Sequence, residues 1–244
     1  MIPPEKDAYG REILDYFLGL NGMPEIVERD DGYIGLASGP SAYFAPYEEW
    51  PEQQQKLIQL ARGRILDIGC GAGRVCLYLQ EQGHEVVGID NSPLAVKTAK
   101  LRGVKDARVL SITQASRAKL GVFDTIVMLG NNFGLFANEK RAKWLLRRFY
   151  GMTGADGRIL AESRDIYATD NPDHLAAHER NRRHGRMPGQ LRIRIRYQTI
   201  IGPWFDYLMV SPQEMAGLAA GTGWQVNEVF WGEAGMYTAV IEKE

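Results

Sequence analysis

Arg64-Ile65-Leu66-Asp67-Ile68-Gly69-Cys70-Gly71-Ala72-Gly73-Arg74, with His84-Glu85-Val86-Val87-Gly88-Ile89-Asp90 after it, decides the fold. It reads as a strand, a glycine turn, a helix and a second strand ending in an acid, which is the order of a nucleoside-binding βαβ unit. Glycines let the backbone approach a ligand, and a carboxylate closing the second strand accepts hydrogen bonds from two ribose hydroxyls. A dinucleotide fingerprint spaces its glycines G-x-G-x-x-G and seats a pyrophosphate on the helix N-terminus. Here the spacing is Gly69-x-Gly71-x-Gly73, and Asp67 stands just ahead of it. A carboxylate there repels a pyrophosphate and suits a ligand that carries an ammonium group. A glycine turn after a strand is weak evidence alone; its coincidence with Asp67 and Asp90 makes the pattern specific.

Leu66-Asp67-Ile68-Gly69-Cys70-Gly71-Ala72-Gly73 resembles the first motif of the class I S-adenosylmethionine-dependent methyltransferases, and Gly88-Ile89-Asp90 resembles the end of their second. The resemblance runs from about Arg64 to the C-terminus. It implies S-adenosylmethionine as cofactor and S-adenosylhomocysteine as product. It also implies an α/β fold, a doubly wound, seven-stranded, mostly parallel sheet of Rossmann-like type whose last strand runs antiparallel.

Outward from the motif, the elements alternate as such a sheet requires. Ser92 and Pro93 open a helix that Gly103 closes, followed by a third strand near Ala107 to Ile112. Phe123 to Gly130 is a nearly continuous apolar run, as a central parallel strand reads. A helix from Glu139 to Tyr150 precedes a fifth strand at Gly157 to Ser163. Ser211-Pro212-Gln213-Glu214 is a capping box for the last helix, and strands near Gln225 to Trp231 and Met236 to Glu242 finish the sheet. The expected organisation is a single domain: an N-terminal helical lid segment (1–63), a cofactor-binding core (64–164), an insert with a β-hairpin (165–210), and the final helix and strand pair (211–244).

Two regions lie outside the frame. The first holds an amphipathic helix near Glu12 to Leu20 and the aromatic stretch Tyr43 to Trp50. By the resemblance this segment closes over the cofactor, so Tyr43, Phe44 and Tyr47 either shield the sulfonium from water or pack a helix onto the sheet. In the second, Ile166 to Gln190 is polar and reads as a solvated basic loop; His174 and His178 find no third ligand at matching spacing, so no metal is expected. Leu191 to Tyr197 alternates apolar residues with Arg192, Arg194 and Arg196. Gly202-Pro203 reads as the turn and Trp204 to Val210 as the returning strand. The arginine face either grips an anionic substrate or protects an exposed strand by charge.

Site residues lie beyond the carboxyl ends of the strands. By the resemblance, Gly69, Cys70, Gly71, Ala72 and Gly73 back onto the methionine and ribose, Asp67 holds the ammonium, and Asp90 the ribose hydroxyls. Adenine lies between Ile112 and the region of Asn91, while Leu129, Gly130 and Asn131 border the methionine end. Many family members carry an acid after the third strand for the adenine amino group; Leu110-Ser111-Ile112-Thr113-Gln114 has none, leaving Ser111 or Gln114 as acceptor. Substrate candidates are Tyr43, Asn132, Phe133, Glu162, Arg164, Arg194, Trp204 and Tyr207. Gly130-Asn131-Asn132-Phe133 lacks the paired prolines of the Asn-Pro-Pro-Tyr signature, which disfavours methylation of DNA bases. No catalytic residue is assigned. Positioning and exclusion of water supply on the order of 7–11 kcal/mol for well-aligned reactants; where a base is needed, Glu162, Tyr43 or a histidine of the insert is the candidate.

The 244 residues carry a net charge of −1, which gives no general attraction to polyanions. Two cysteines, an N-terminus without a signal pattern and no apolar run of membrane length read as a soluble, cytoplasmic protein. The expected activity is methyl transfer to a small-molecule acceptor, with no membrane partner. An enzyme acting on RNA or protein, a non-catalytic binder of S-adenosyl ligands and a nicotinamide-dependent oxidoreductase are the alternatives.

Overall fold

A computed structural model describes residues 2–20, 22–37 and 39–244. Its helices are α1 (Ala8–Phe17), α2 (Glu52–Ile58), α3 (Arg74–Glu81), α4 (Pro93–Leu101), α5 (Arg117–Leu120), α6 (Glu139–Tyr150), α7 (Pro172–Arg183) and α8 (Pro212–Ala219). The first six strands are β1 (Ile26–Arg29), β2 (Ile34–Leu36), β3 (Arg64–Ile68), β4 (Glu85–Asp90), β5 (Ala107–Val109) and β6 (Phe123–Met128). The others are β7 (Thr153–Arg164), β8 (Gln190–Tyr197), β9 (Ile200–Ile201), β10 (Phe205–Leu208), β11 (Trp224–Trp231) and β12 (Met236–Lys243).

The main sheet has seven strands in the order β5-β4-β3-β6-β7-β12-β11. Neighbours β4 and β5, and β6 and β7, run parallel, whereas β12 is antiparallel to both β7 and β11. This is the Rossmann-like methyltransferase sheet that the sequence leads one to expect, and the order turns back between β3 and β6. The apolar run at β6 is central and inaccessible from Thr125 to Met128, as a strand covered on both faces must be.

By its internal contacts the chain forms two compact units. The first comprises Met1–Trp50, Leu66–Ala115 and Arg192–Phe205; the second comprises Pro51–Ile65, Ser116–Leu191 and Asp206–Glu244. In the first, α1 starts at Ala8 rather than Glu12, because the Asp7 carboxylate accepts the Gly10 N–H at 3.0 Å and caps the helix. Its end comes at Phe17, ahead of Gly19, whose φ of 70° no continuing helix tolerates. The N-terminal segment is also not purely helical. Strands β1 and β2 pair with one another, and β1 pairs with β8, in a second sheet of order β10-β8-β1-β2 with β9 beside β8.

That sheet changes two further expectations. β8 has a strand on either side, so its arginines do not guard an exposed edge. The tight turn after it falls at Gln198-Thr199, where Gln198 takes a φ of 51° and Tyr197 pairs with Ile200, rather than at Gly202-Pro203. In the second unit, the polar stretch read as a loop contains the twelve-residue helix α7. Asn171 caps it by accepting the Asp173 N–H at 2.9 Å, Pro172 occupies the first turn, and Glu179 pairs with Arg183 one turn on. Hydrophobic periodicity misses such a helix, because little beyond Ala177, His178 and Asn181 is buried.

Candidate cofactor and substrate site

The glycine turn of the first unit is built by backbone necessity. Gly69, Gly71 and Gly73 have φ of 76°, 52° and 82°, a region L side chains rarely adopt. The Gly69 and Cys70 N–H groups donate to the Ile89 carbonyl at 2.8 and 3.1 Å, and Gly73 N–H donates to the Cys70 carbonyl, so the turn is tied to β4 before α3 begins. Ala72 is buried in a small apolar cluster with Ile13 and Ala95. A Cβ on Gly71 would fall 2.7 Å from the Tyr9 hydroxyl oxygen, and one on Gly73 would fall 2.5 Å from Val104.

Two buried acids flank this turn. Asp90 accepts the Gly71 N–H on Oδ2 at 3.0 Å and the Ser92 N–H on Oδ1 at 2.9 Å. Burial pushes its carboxyl up to about 6, against the lowering pull of those N–H groups. The Asn91 N–H also reaches this carboxylate, which with about four acceptor positions keeps capacity for a further donor. Asp67 accepts the Cys76 thiol at 3.2 Å, and burial pushes it up to about 7 despite that hydrogen bond and the Arg74 charge. Asn91, next to Asp90, is exposed.

Tyr9 is the contributor the sequence reading leaves out. Burial first, then the charges of Asp90 and Glu25, hold its hydroxyl well above the ordinary range, and its ring meets Tyr43 edge-on at 5.2 Å. It is placed by Asp7, which besides capping α1 accepts the Ser92 hydroxyl at 2.7 Å and the Leu94 N–H at 3.1 Å. Gly10 is needed there because a Cβ would lie 2.2 Å from Ser92 Oγ. The available signal was an aspartate three residues ahead of a glycine at the start of an amphipathic stretch. After β5, Ile112 is half-buried. Ser111 and Gln114, the substitute acceptors, are engaged locally: Ser111 Oγ lies 2.8 Å from Thr113 Oγ1, and Gln114 Oε1 accepts the Ser111 N–H at 3.3 Å.

The second unit holds its own cluster at the ends of β6 and β7. Glu162 is inaccessible and accepts Gln54 Nε2 on both oxygens, at 2.8 and 2.9 Å, with the Gly130 and Asn131 N–H groups on Oε2 at 2.6 and 3.0 Å. Glu162, named among the substrate and base candidates, thus clamps the backbone after Leu129. Gly130 and Asn131 both take positive φ, 74° and 61°, and the Asn131 carbonyl accepts the Tyr207 hydroxyl. Tyr207 packs its ring where a Cβ on Gly134 would stand, within 2.2 Å. Asn131 Oδ1 is buried with no hydrogen-bond partner. Phe133, expected to face a substrate, is wholly buried and meets Phe136 edge-on at 4.7 Å. Asn132 is partly exposed and Arg164 exposed.

Arg194, a substrate candidate, is engaged by its neighbours in the sheet. It makes a two-pronged ion pair with Glu28 of β1, at 2.9 and 2.8 Å, and stacks over Trp204 at 4.5 Å. Arg196 reaches the same carboxylate at 2.6 Å. Among the described residues no three His, Cys, Asp or Glu side chains converge as metal ligands would, and no helix is long and apolar enough to cross a membrane.

The family described as "Methyltransferase domain" matches residues 65–157. A crystal structure of an S-adenosylmethionine-dependent methyltransferase from Bacteroides fragilis, in complex with S-adenosyl-L-homocysteine, superposes with a TM-score of 0.84 at 30% identity, covering 100% of this chain and 97% of that one. The chain belongs to the class I S-adenosylmethionine-dependent methyltransferases. Curated relatives match over shorter stretches. The glycine/sarcosine N-methyltransferase of Halorhodospira halochloris is 31% identical over 116 residues, 46% of this methyltransferase and 43% of its own length. A ubiquinone biosynthesis O-methyltransferase of Xanthomonas oryzae is 34% identical over 77 residues, 30% and 32% of the two chains. This methyltransferase thus spans less than half the length of those two relatives. Its cofactor is S-adenosylmethionine, and the donor set fits it. Two buried acids and a turn without Cβ atoms suit an ammonium group and ribose hydroxyls, whereas the carboxylates oppose a pyrophosphate.

Proposed function

We propose that this methyltransferase acts on a small-molecule acceptor. The observation that carries the reading is the state of the arginine strand. Arg194 and Arg196 converge on Glu28, which lowers the Glu28 carboxyl and removes the row of unpaired charge that an RNA backbone requires. The relatives whose names mention glycine, sarcosine and ubiquinone biosynthesis support it.

When bound, S-adenosylmethionine supplies a methyl carbon on a sulfonium that a nucleophile displaces. The chain's own part is binding and orientation. Asp90 accepts the ribose hydroxyls with the lone pairs its backbone partners leave, and Asp67, as a carboxylate, holds the ammonium. Tyr9 and Tyr43 keep water from the turn. In the second unit, Asn131 Oδ1 is an acceptor awaiting a ligand N–H or O–H, because a buried oxygen without a partner is costly. Two free, buried thiols, Cys70 and Cys76, fit a reducing compartment.

The test is transfer of a radiolabelled methyl group from S-adenosylmethionine by the purified protein to a heat-treated cell extract that retains its metabolites, with products separated into small molecules, RNA and protein and unreacted S-adenosylmethionine resolved from the first. Label in the small-molecule fraction is the expected result. Label confined to RNA or protein, or no label at all, overturns the reading.

A further inference from the structure

Helix α1 and the residue just ahead of β1 bring Glu12 and Glu25 together, at 0% and 2% exposure. Glu12 Oε1 accepts the Glu25 backbone N–H at 3.0 Å, and Glu25 Oε1 accepts the Tyr43 hydroxyl at 2.6 Å. The other oxygen of each, Oε2, is buried without a hydrogen-bond partner. Among the described residues neither glutamate has an ion-pair partner. The groups around them are mostly acidic or phenolic. Asp15 of α1 is paired with Arg11 at 2.8 Å and also accepts the Tyr197 hydroxyl at 3.4 Å. Tyr9 stands beside Tyr43, with Asp90 and Cys70 beyond it. Arg102 spends its guanidinium on the Ala72 and Tyr43 carbonyls, at 2.7 and 3.4 Å, and over the Phe44 ring.

Two adjoining carboxylates without a counter-charge do not both ionise in a buried site, and Glu12 and Glu25 lie within side-chain hydrogen-bond reach of one another. We propose that Glu12 and Glu25 share a single proton and act as positioning residues, fastening α1 to Tyr43 and so seating Tyr9 on the cofactor turn at Gly71. The link to the turn rests on the cofactor assignment of Gly71 and Asp90; the shared proton does not. Burial, then the hydrogen bond from its partner, pushes the Glu12 carboxyl up to about 10, so the fastening holds through the neutral range. Its loss sets two charges side by side and releases α1.

A shared proton has a signature that a merely structural carboxylate lacks. In Glu12→Gln or Glu25→Gln the amide N–H takes the proton's place, so each single variant keeps its affinity for S-adenosylhomocysteine within about twofold by calorimetry. Glu12→Gln/Glu25→Gln sets two amide donors against each other and loses at least about tenfold, with a lower urea midpoint. Should the double variant not fold, the pH profile decides. Wild-type affinity falls between about pH 9 and 10.5 relative to that of Glu12→Gln, which has no such proton to lose. Single variants as damaged as the double, a harmless double, or matching pH profiles would each overturn the proposal. If no variant binds S-adenosylhomocysteine yet the urea midpoints show the single-against-double pattern, the shared proton stands and the cofactor assignment fails.

Discussion

The carboxylates at the ends of β4 and β7 occupy similar places in their strands, yet their surroundings assign them different tasks. Asp90, in the first unit, accepts only backbone N–H groups, those of Gly71, Ser92 and Asn91, which fixes its orientation and leaves acceptor capacity facing the glycine turn. Glu162, in the second, receives a glutamine on both oxygens and two successive backbone N–H groups on one of them. Capacity left over suits a carboxylate to binding; capacity filled suits it to bracing. Both are acids near the carboxyl end of a strand, so it is the donors around each that tell them apart.

The comparison breaks most visibly at Glu162. Glu162→Gln replaces an acceptor by a donor against Gly130, Asn131 or Gln54, and is expected to lower the unfolding free energy by about 2–4 kcal/mol, read from urea titration. A stable variant that has lost only methyl transfer would instead make Glu162 the proton acceptor. At Asp90 the balance reverses. Asp90→Asn is expected to weaken S-adenosylhomocysteine binding by about tenfold or more while costing about 1–2 kcal/mol of stability. Equal losses of stability in the two variants would erase the distinction.

Acidity sharpens the same contrast. Burial raises Asp90 and Asp67, to about 6 and about 7, so the folded chain keeps protons that the unfolded chain gives up. Their contribution to stability is therefore complete below about pH 4 and is lost as pH rises through 6 to 7. Binding through the carboxylate forms releases those protons. Affinity for S-adenosylhomocysteine should climb from pH 5 to 8, and calorimetry in buffers of different ionisation heat should show proton release that Asp67→Asn and Asp90→Asn each reduce. Proton uptake would reverse the assignment. The smallest effect is expected at the arginine strand. Arg194→Ala, which removes a partner of Glu28, should leave cofactor affinity within about twofold. A large loss of methyl transfer to the acceptor in that variant would restore the arginine as a substrate ligand.

What could be read from the chain and what could not divide along physical lines. The β3-turn-β4 unit was legible because its determinants are local: positive φ at Gly69, Gly71 and Gly73 demands glycine in the sequence itself, and an acid must close the strand to meet a ribose. The capping box at Ser211 and the buried run of β6 were legible for the same reason, since caps and period are properties of a few neighbouring residues. Helix α7 escaped because its cap is local but its burial is slight. The pairing of β1 with β8, which sets Arg194 beside Glu28, joins residues 166 positions apart. Tyr9 on Gly71, the clamp on Glu162 and the meeting of Glu12 with Glu25 likewise need the chain to be folded before they exist. The sequence by itself determined the kind of cofactor, because that choice is written in backbone conformation and in one acid per strand end. Which carboxylates bind, which brace and which share a proton was decided by tertiary structure alone, because it depends on how many donors reach each oxygen.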